Sequence, residues 1–299
     1  MLIRSWGLLF ACWSVLRSQP TLVVYPIISG LASSLFVAIF LIPLYFTGYF
    51  DGMLGRETVA VYSNGYHTAS TPDFLPWQSW AVMFALGLVL NLVTNFCNAA
   101  FTAATLIRLS GGQVTVGEAF EVAVARLPAI VGYSMIGATI GLVIRVVEER
   151  VGILGRLIGV AVGLAWAVAT FLVVPVLVVE NVGPVEGIKR SMSMLRRTWG
   201  EGLVCRVGIG AASGLISLAF VLACGIVVAI AVQIGSVPLI VMSVLAAIAG
   251  LIAIGVISRT LAGIFTAALY AYATGRGTMP GIPADLITGA FGPRSGSRL

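Results

Sequence analysis

The sequence predicts an all-α, polytopic membrane protein, and three observations carry that prediction. Of 299 residues, 59% are hydrophobic and only 9% charged, whereas about a quarter of a soluble domain is charged. Mean hydropathy is +1.06, and several apolar runs exceed the ~18 residues that mark a spanning helix. No series of alternating, roughly ten-residue segments suggests an outer-membrane barrel. The pattern resolves into six transmembrane helices and three amphipathic interfacial helices, a pseudo-threefold repeat of one flat helix followed by two spans. One transmembrane domain covers 1–274, and a Gly/Pro-rich cytoplasmic tail covers 275–299.

Residues 1–18 place Trp6, Trp13 and Leu16 at helical spacing, away from Arg4 and Arg17, as in a helix lying in the interface. No small-residue cleavage site follows, so no removed signal peptide is expected. The first span, 21–46, carries Pro26 and Pro43 near its ends, where they disturb it least. The loop 47–77 is the one substantial hydrophilic excursion. Within it Thr58–Tyr62 alternates ahead of Ser63, Asn64 and Gly65, which predicts a small hairpin.

The second span, 78–107, leads to Thr115 and Glu118, spaced as a capping box that starts a flat helix over 115–127. Spans three and four, 129–147 and 153–179, are joined by Glu148, Glu149 and Arg150, with Arg145 and Glu149 set for an i,i+4 pair. Pro175 removes a hydrogen bond to the Phe171 carbonyl and so predicts a bend or a hinge. In the flat helix 184–199, Val185, Ile188, Met192, Leu195 and Trp199 share one face, with Lys189, Arg190, Arg196 and Arg197 largely off it. The fifth span, 203–234, turns at Gly235 to Pro238 into a sixth that runs from Leu239 to Ala273.

The net charge of +6 comes from basic residues confined to particular loops, so it reports orientation and not a nucleic-acid partner. Of 17 basic residues, Arg56, Arg145, Arg150 and Arg156 fall on one side, leaving 13 on the other, which is therefore cytoplasmic. Both termini are then inside a prokaryotic cytoplasmic membrane. Arg259 lies 20 residues beyond Leu239, about 30 Å along a helix, and should reach the inner interface. A later start of the sixth span would place it within the bilayer, where a cation marks function.

Asn91, Thr94, Asn95, Asn98, Thr102 and Thr105 form a stripe on the second span. Amides facing lipid would be unsatisfied, so this face either hydrogen-bonds other helices or walls a polar conduit. Gly155, Gly159 and Gly163, with Gly137 and Gly141, make ladders suited to helix packing or to a homo-oligomer. Lys189, Arg190, Arg196 and Arg197 are candidate contacts for anionic lipid headgroups, or ordinary positive-inside charge. His67 is the only histidine, and the four cysteines have no CxxC spacing, so no metal is expected. With no nucleophile motif, P-loop or dinucleotide fingerprint, neither a cofactor nor an enzyme is expected. All 11 carboxylates lie in loops, flat helices or span ends, against a carboxylate proton relay.

Val174-Pro175-Val176-Leu177-Val178-Val179-Glu180, then Gly183-Pro184 and Gly187-Ile188-Lys189-Arg190-Ser191, and finally Thr198-Trp199-Gly200-Glu201 resemble a family of six-helix bacterial and archaeal membrane proteins of unknown function. Ala268 to Ala273 and the Gly/Pro tail look like that family's end. The chain is also distantly similar to the Yip1-like and glycerophosphodiester-phosphodiesterase-associated membrane domains, which share a Pro-hydrophobic-Glu segment before a cytoplasmic amphipathic helix. The resemblance implies no catalytic residues. The leading expectation is a non-enzymatic structural, lipid-organising or partner-binding protein. Its rival is a small-solute or ion channel or permease built on the Asn91, Asn95 and Asn98 face.

Overall fold

The computed structural model describes residues 13–46, 58–62, 65–69, 76–197 and 201–275, except for the side chains of 58–79, 196–197 and 201–209. Helix comes first. Residues 13–18 are helical, and a 3-10 turn at Pro20–Val23 leads into α1, Val24–Phe46. Strands β1, Thr58–Tyr62, and β2, Gly65–Ala69, pair antiparallel with Tyr62 opposite Gly65. Then follow α2, Pro76–Leu109, α3, Val116–Ala125, α4, Leu127–Ala169, and α5, Val173–Glu180. The chain continues through α6, Pro184–Arg197, α7, Glu201–Ile234, and α8, Val237–Ala273. The long apolar helices and the hairpin thus fall on the segments the sequence pattern marks, with the third and fourth of those segments joined in one helical stretch, Leu127–Glu180. The start of the first flat helix, the end of the third at Trp199 and the tail lie outside the described residues.

Among the described residues, five helical stretches are long and apolar enough to cross a membrane, which is compatible with a multi-pass helical membrane protein. The longest, Leu127–Glu180, is not straight. At Gly152 the backbone takes φ 65°, ψ −133°, open to glycine and closed to residues with a Cβ. The chain reverses there: a Cβ on Gly155 would come 2.5 Å from the Val147 carbonyl oxygen, and one on Gly159 would overlap the Glu148 carboxylate. Two rungs of the glycine ladder are therefore filled within the chain, while Gly163 faces open space. The Arg145–Glu149 pair does not form among the described residues, where both ion pairs belong to Arg190; Glu148 is the acid turned onto the neighbouring arm.

A second interruption falls at 170–172, between α4 and α5. This is the bend expected from Pro175, and it falls three to five residues before that proline, whose ring has no N–H to donate back along the helix. The capping box forms as spaced: the Glu118 backbone N–H donates to Thr115 Oγ1 at 3.3 Å, and the Thr115 N–H donates to Glu118 Oε2 at 2.8 Å. These bonds hold the Glu118 carboxyl below the usual carboxylate range.

The core gathers at the end of the bundle that carries α3 and α6, called here the clasped end. Leu22 and Tyr25 meet Ala99, Ala100, Ala103 and Ala104 of α2, Ala119 and Ala123 of α3, Val176 of α5 and Ile264, Phe265 and Tyr270 of α8. Arg108 pins the first turn onto α2, donating to Gln19 Oε1 at 2.8 Å, to Thr21 Oγ1 and to the Val114 carbonyl oxygen at 3.0 Å. Arg126 donates to the Val178 carbonyl oxygen at 3.2 Å. At the opposite end, around Gly152, large aliphatic side chains on α1, α4, α7 and α8 are exposed. There α7 packs chiefly on α8.

Candidate functional site

Where the clasped end gives way to the open half, the helices line a partly open cavity of about 470 Å3. Its polar wall comes from α2. Thr94 and Asn95, then Asn98 and Thr102, follow at spacings of one, three and four residues, so one face of that helix carries them all, and all four line the cavity. Asn95 Nδ2 donates to Ser134 Oγ on α4 at 3.1 Å, so this amide serves helix packing and the cavity at once. Asn98 and Thr102 make no hydrogen bond with any described residue. Asn91, one turn further out, does not line the cavity; its Nδ2 donates to the Gly87 carbonyl oxygen at 3.0 Å. Thr105 is buried and donates to the Phe101 carbonyl oxygen.

The other walls mix aromatic and small residues. Trp166 lies over Tyr133 with ring centroids 6.4 Å apart and planes 23° apart, within the range of favourable stacking. Both rings line the cavity, with Phe171 and Pro175 from the break between α4 and α5. Thr170 donates its hydroxyl at 2.8 Å to the Trp166 carbonyl oxygen, which also accepts the Thr170 backbone N–H at 2.9 Å. On α8, Gly263 lets the backbone approach α2, since a Cβ there would overlap the Phe101 ring.

Arg259 lines the same cavity. It stands 14 residues before the end of α8 at Ala273, about 21 Å along the helix at 1.5 Å per residue. Asn98 stands 11 residues before the end of α2 at Leu109, about 17 Å on the same measure. Arg259 and the α2 amides thus line one cavity. No carboxylate lines the cavity, and no hydrogen bond or ion pair joins Arg259 to another described residue.

The cations of α6 divide differently. Arg190 is engaged by Glu180 and, at 3.0 Å, by Glu186, and these acceptors raise its pKa, Glu180 foremost. Tyr270 of α8 donates its hydroxyl to the other oxygen of Glu180 at 3.1 Å, so one carboxylate ties α5, α6 and α8 together. Lys189 is exposed, and the side chains of Arg196 and Arg197 lie outside the described residues. The buried face of α6 is Gly187, Ser191 and Leu195, with Ser191 Oγ accepting from the Leu172 N–H at 3.1 Å. Val185 and Met192 remain exposed. The helix is thus rotated from the phase its apolar residues suggest, because Gly187 is small enough to seat against Leu177 and close approach decides packing.

The sequence stripe located the α2 wall but not its neighbours. Tyr133, Trp166 and Thr170 are single polar or aromatic residues in apolar runs, and nothing in their spacing distinguishes them from lipid-facing positions. The segment that supplies most of these walls, residues 78–279, matches the model of a family of unknown function, DUF6159. The chain belongs to that family. The DUF6159 match begins at the second long helix, and so includes the polar wall, the α4–α5 break and Arg259 while leaving out α1. No curated protein matches the chain.

Proposed function

We propose that this DUF6159 protein is a six-span integral protein of the cytoplasmic membrane, with both termini cytoplasmic, that holds an amphiphile from the bilayer and acts in lipid organisation without catalysis. Counting the two arms of α4 on either side of Gly152 as separate spans turns five apolar stretches into six. The observation that carries the binding reading is the cavity. Its lining sets amides and hydroxyls, many of them from α2, beside aromatic and aliphatic surface, the two kinds of surface an amphiphile itself presents. In this reading α3 and α6 lie along the cytoplasmic interface, α6 presenting Val185, Met192 and Lys189 toward the headgroups.

Native mass spectrometry of the delipidated full-length protein in mild detergent, titrated with diacylglycerol, tests the cavity. One bound molecule is expected in wild type and none in Ala262→Phe, which fills the space. No retention in wild type, or undiminished retention in the variant, overturns the reading.

The same polar wall favours a second reading, a solute path. Leu22, Tyr25 and Phe101 are buried in the core of the clasped end, so transport would need that end to part. Flux across liposomes that disappears in Asn95→Leu/Asn98→Leu, with unchanged assembly, would establish this reading over the first.

A further inference from the structure

We propose that Arg259 makes the cavity an anion site, so that the amphiphile it holds carries a phosphate group at the level of Asn98. The inference rests on the binding reading above and adds the ligand's charge. Three observations converge on it. Arg259 lines the cavity without an ion pair or hydrogen bond to any described residue, and no carboxylate shares that lining. Asn98 and Thr102, on the α2 wall of the same space, likewise keep an amide and a hydroxyl free of described partners. Gly263, four residues after Arg259, brings α8 against Phe101 of α2 and so holds the guanidinium and the amide wall on one cavity.

A guanidinium presents a planar fork of donors that matches two oxygens of a phosphate, and such charge-assisted bonds are stronger than neutral ones. Asn98 and Arg259 are exposed on the protein, and where lipid replaces water around them the lower dielectric strengthens the attraction. The anion supplies the companion that an intramembrane arginine requires. The amide and the hydroxyl add donors of the kind that orient a phosphate without competing for the cation. Trp166, Phe171 and Pro175 provide apolar surface beside that polar corner, where the glycerol and first acyl carbons of a lipid would lie. A phosphate could reach the site on a lipid or free in solution, and the test separates these sources.

The delipidated full-length protein is titrated with phosphatidate, with diacylglycerol of the same chains, and with inorganic phosphate, reading bound mass and thermal midpoint. Phosphatidate is expected to bind about tenfold or more tightly than diacylglycerol, the order of one charge-assisted contact. Arg259→Gln should abolish that preference while leaving diacylglycerol bound, and Arg259→Lys should keep part of it. Arg259-dependent binding of phosphatidate, with or without inorganic phosphate, supports the phosphate site on a lipid; Arg259-dependent binding of inorganic phosphate alone would assign the site to a free anion and overturn the amphiphile. Equal binding of phosphatidate and diacylglycerol, or a preference that survives in Arg259→Gln or in Ala262→Phe, overturns it while leaving the cavity reading standing. Failure of every probe to bind wild type overturns both.

Discussion

The two ends of the bundle share an apolar composition and use it differently. At the clasped end small residues alternate with large ones: Ala99, Ala100, Ala103 and Ala104 on α2 receive Tyr25 and Phe101 packs on Gly263, while Ala119 and Ala123 bring α3 close. At the Gly152 end Leu, Ile and Val surround α7 and the first half of α8, and most stay exposed. Helices in lipid gain nothing by burying one leucine against another, since acyl chains offer equivalent contacts; they associate where small residues permit close approach. Side-chain size, more than hydropathy, separates the packed half from the open one, and the cavity lies where one regime passes into the other.

The largest expected effect contrasts two leucines. Leu177, 1% exposed and seated on Gly187, should cost about 2 to 5 kcal/mol when changed to Ala, whereas Leu222, 61% exposed, should change stability by less than about 0.5 kcal/mol. Unfolding of both variants in the same micelles decides it, and equal losses would erase the distinction between the ends. Next comes Gly152→Ala, which forces a Cβ into a glycine-only conformation at an expected cost of about 1 to 3 kcal/mol. Proteolytic sensitivity should rise at the α4 turn and not at α3.

The smallest effect sharpens the clasped end. Thr115→Ala should cost about 1 kcal/mol through the lost cap of α3. Because Glu118 has a lowered pKa in the folded state, its contribution is fully present above the ordinary carboxylate range and fades as pH falls through the folded value. Wild type should therefore lose α3 protection in acid, followed by amide exchange, and the variant should show less of that pH dependence. An identical acid response in both would sever the link between the capping box and Glu118.

Much of this fold was legible because its signals are local. A Thr and a Glu three apart predict a cap, a proline predicts the break at 170–172, and Pro238 with Gly235 predicts the turn into α8; each involves neighbours in sequence. The polar stripe on α2 was legible for the same reason, since one helix's periodicity places Thr94, Asn95, Asn98 and Thr102 together. What escaped depends on convergence. The rotation of α6 follows from Gly187 meeting Leu177, and neither residue's apolarity reveals it. Arg259 could be placed along its helix by counting, but its company on α2 and at the α4–α5 break exists only once those elements are assembled. The Arg145–Glu149 pair failed because a helix spacing allows a contact without requiring it.

Glu180 carries a consequence for the order in which this chain can finish folding. Its carboxylate meets Arg190 ten residues later and Tyr270 ninety residues later. During synthesis the first contact is available almost at once, while the second must await the last helix. That helix also delivers Ile264, Phe265 and Leu269 to the core begun by Leu22 and Tyr25. Residues from α8 and from the turn before α1 thus close the same end, and a nascent chain halted before α8 would hold α1 without the partner that completes it.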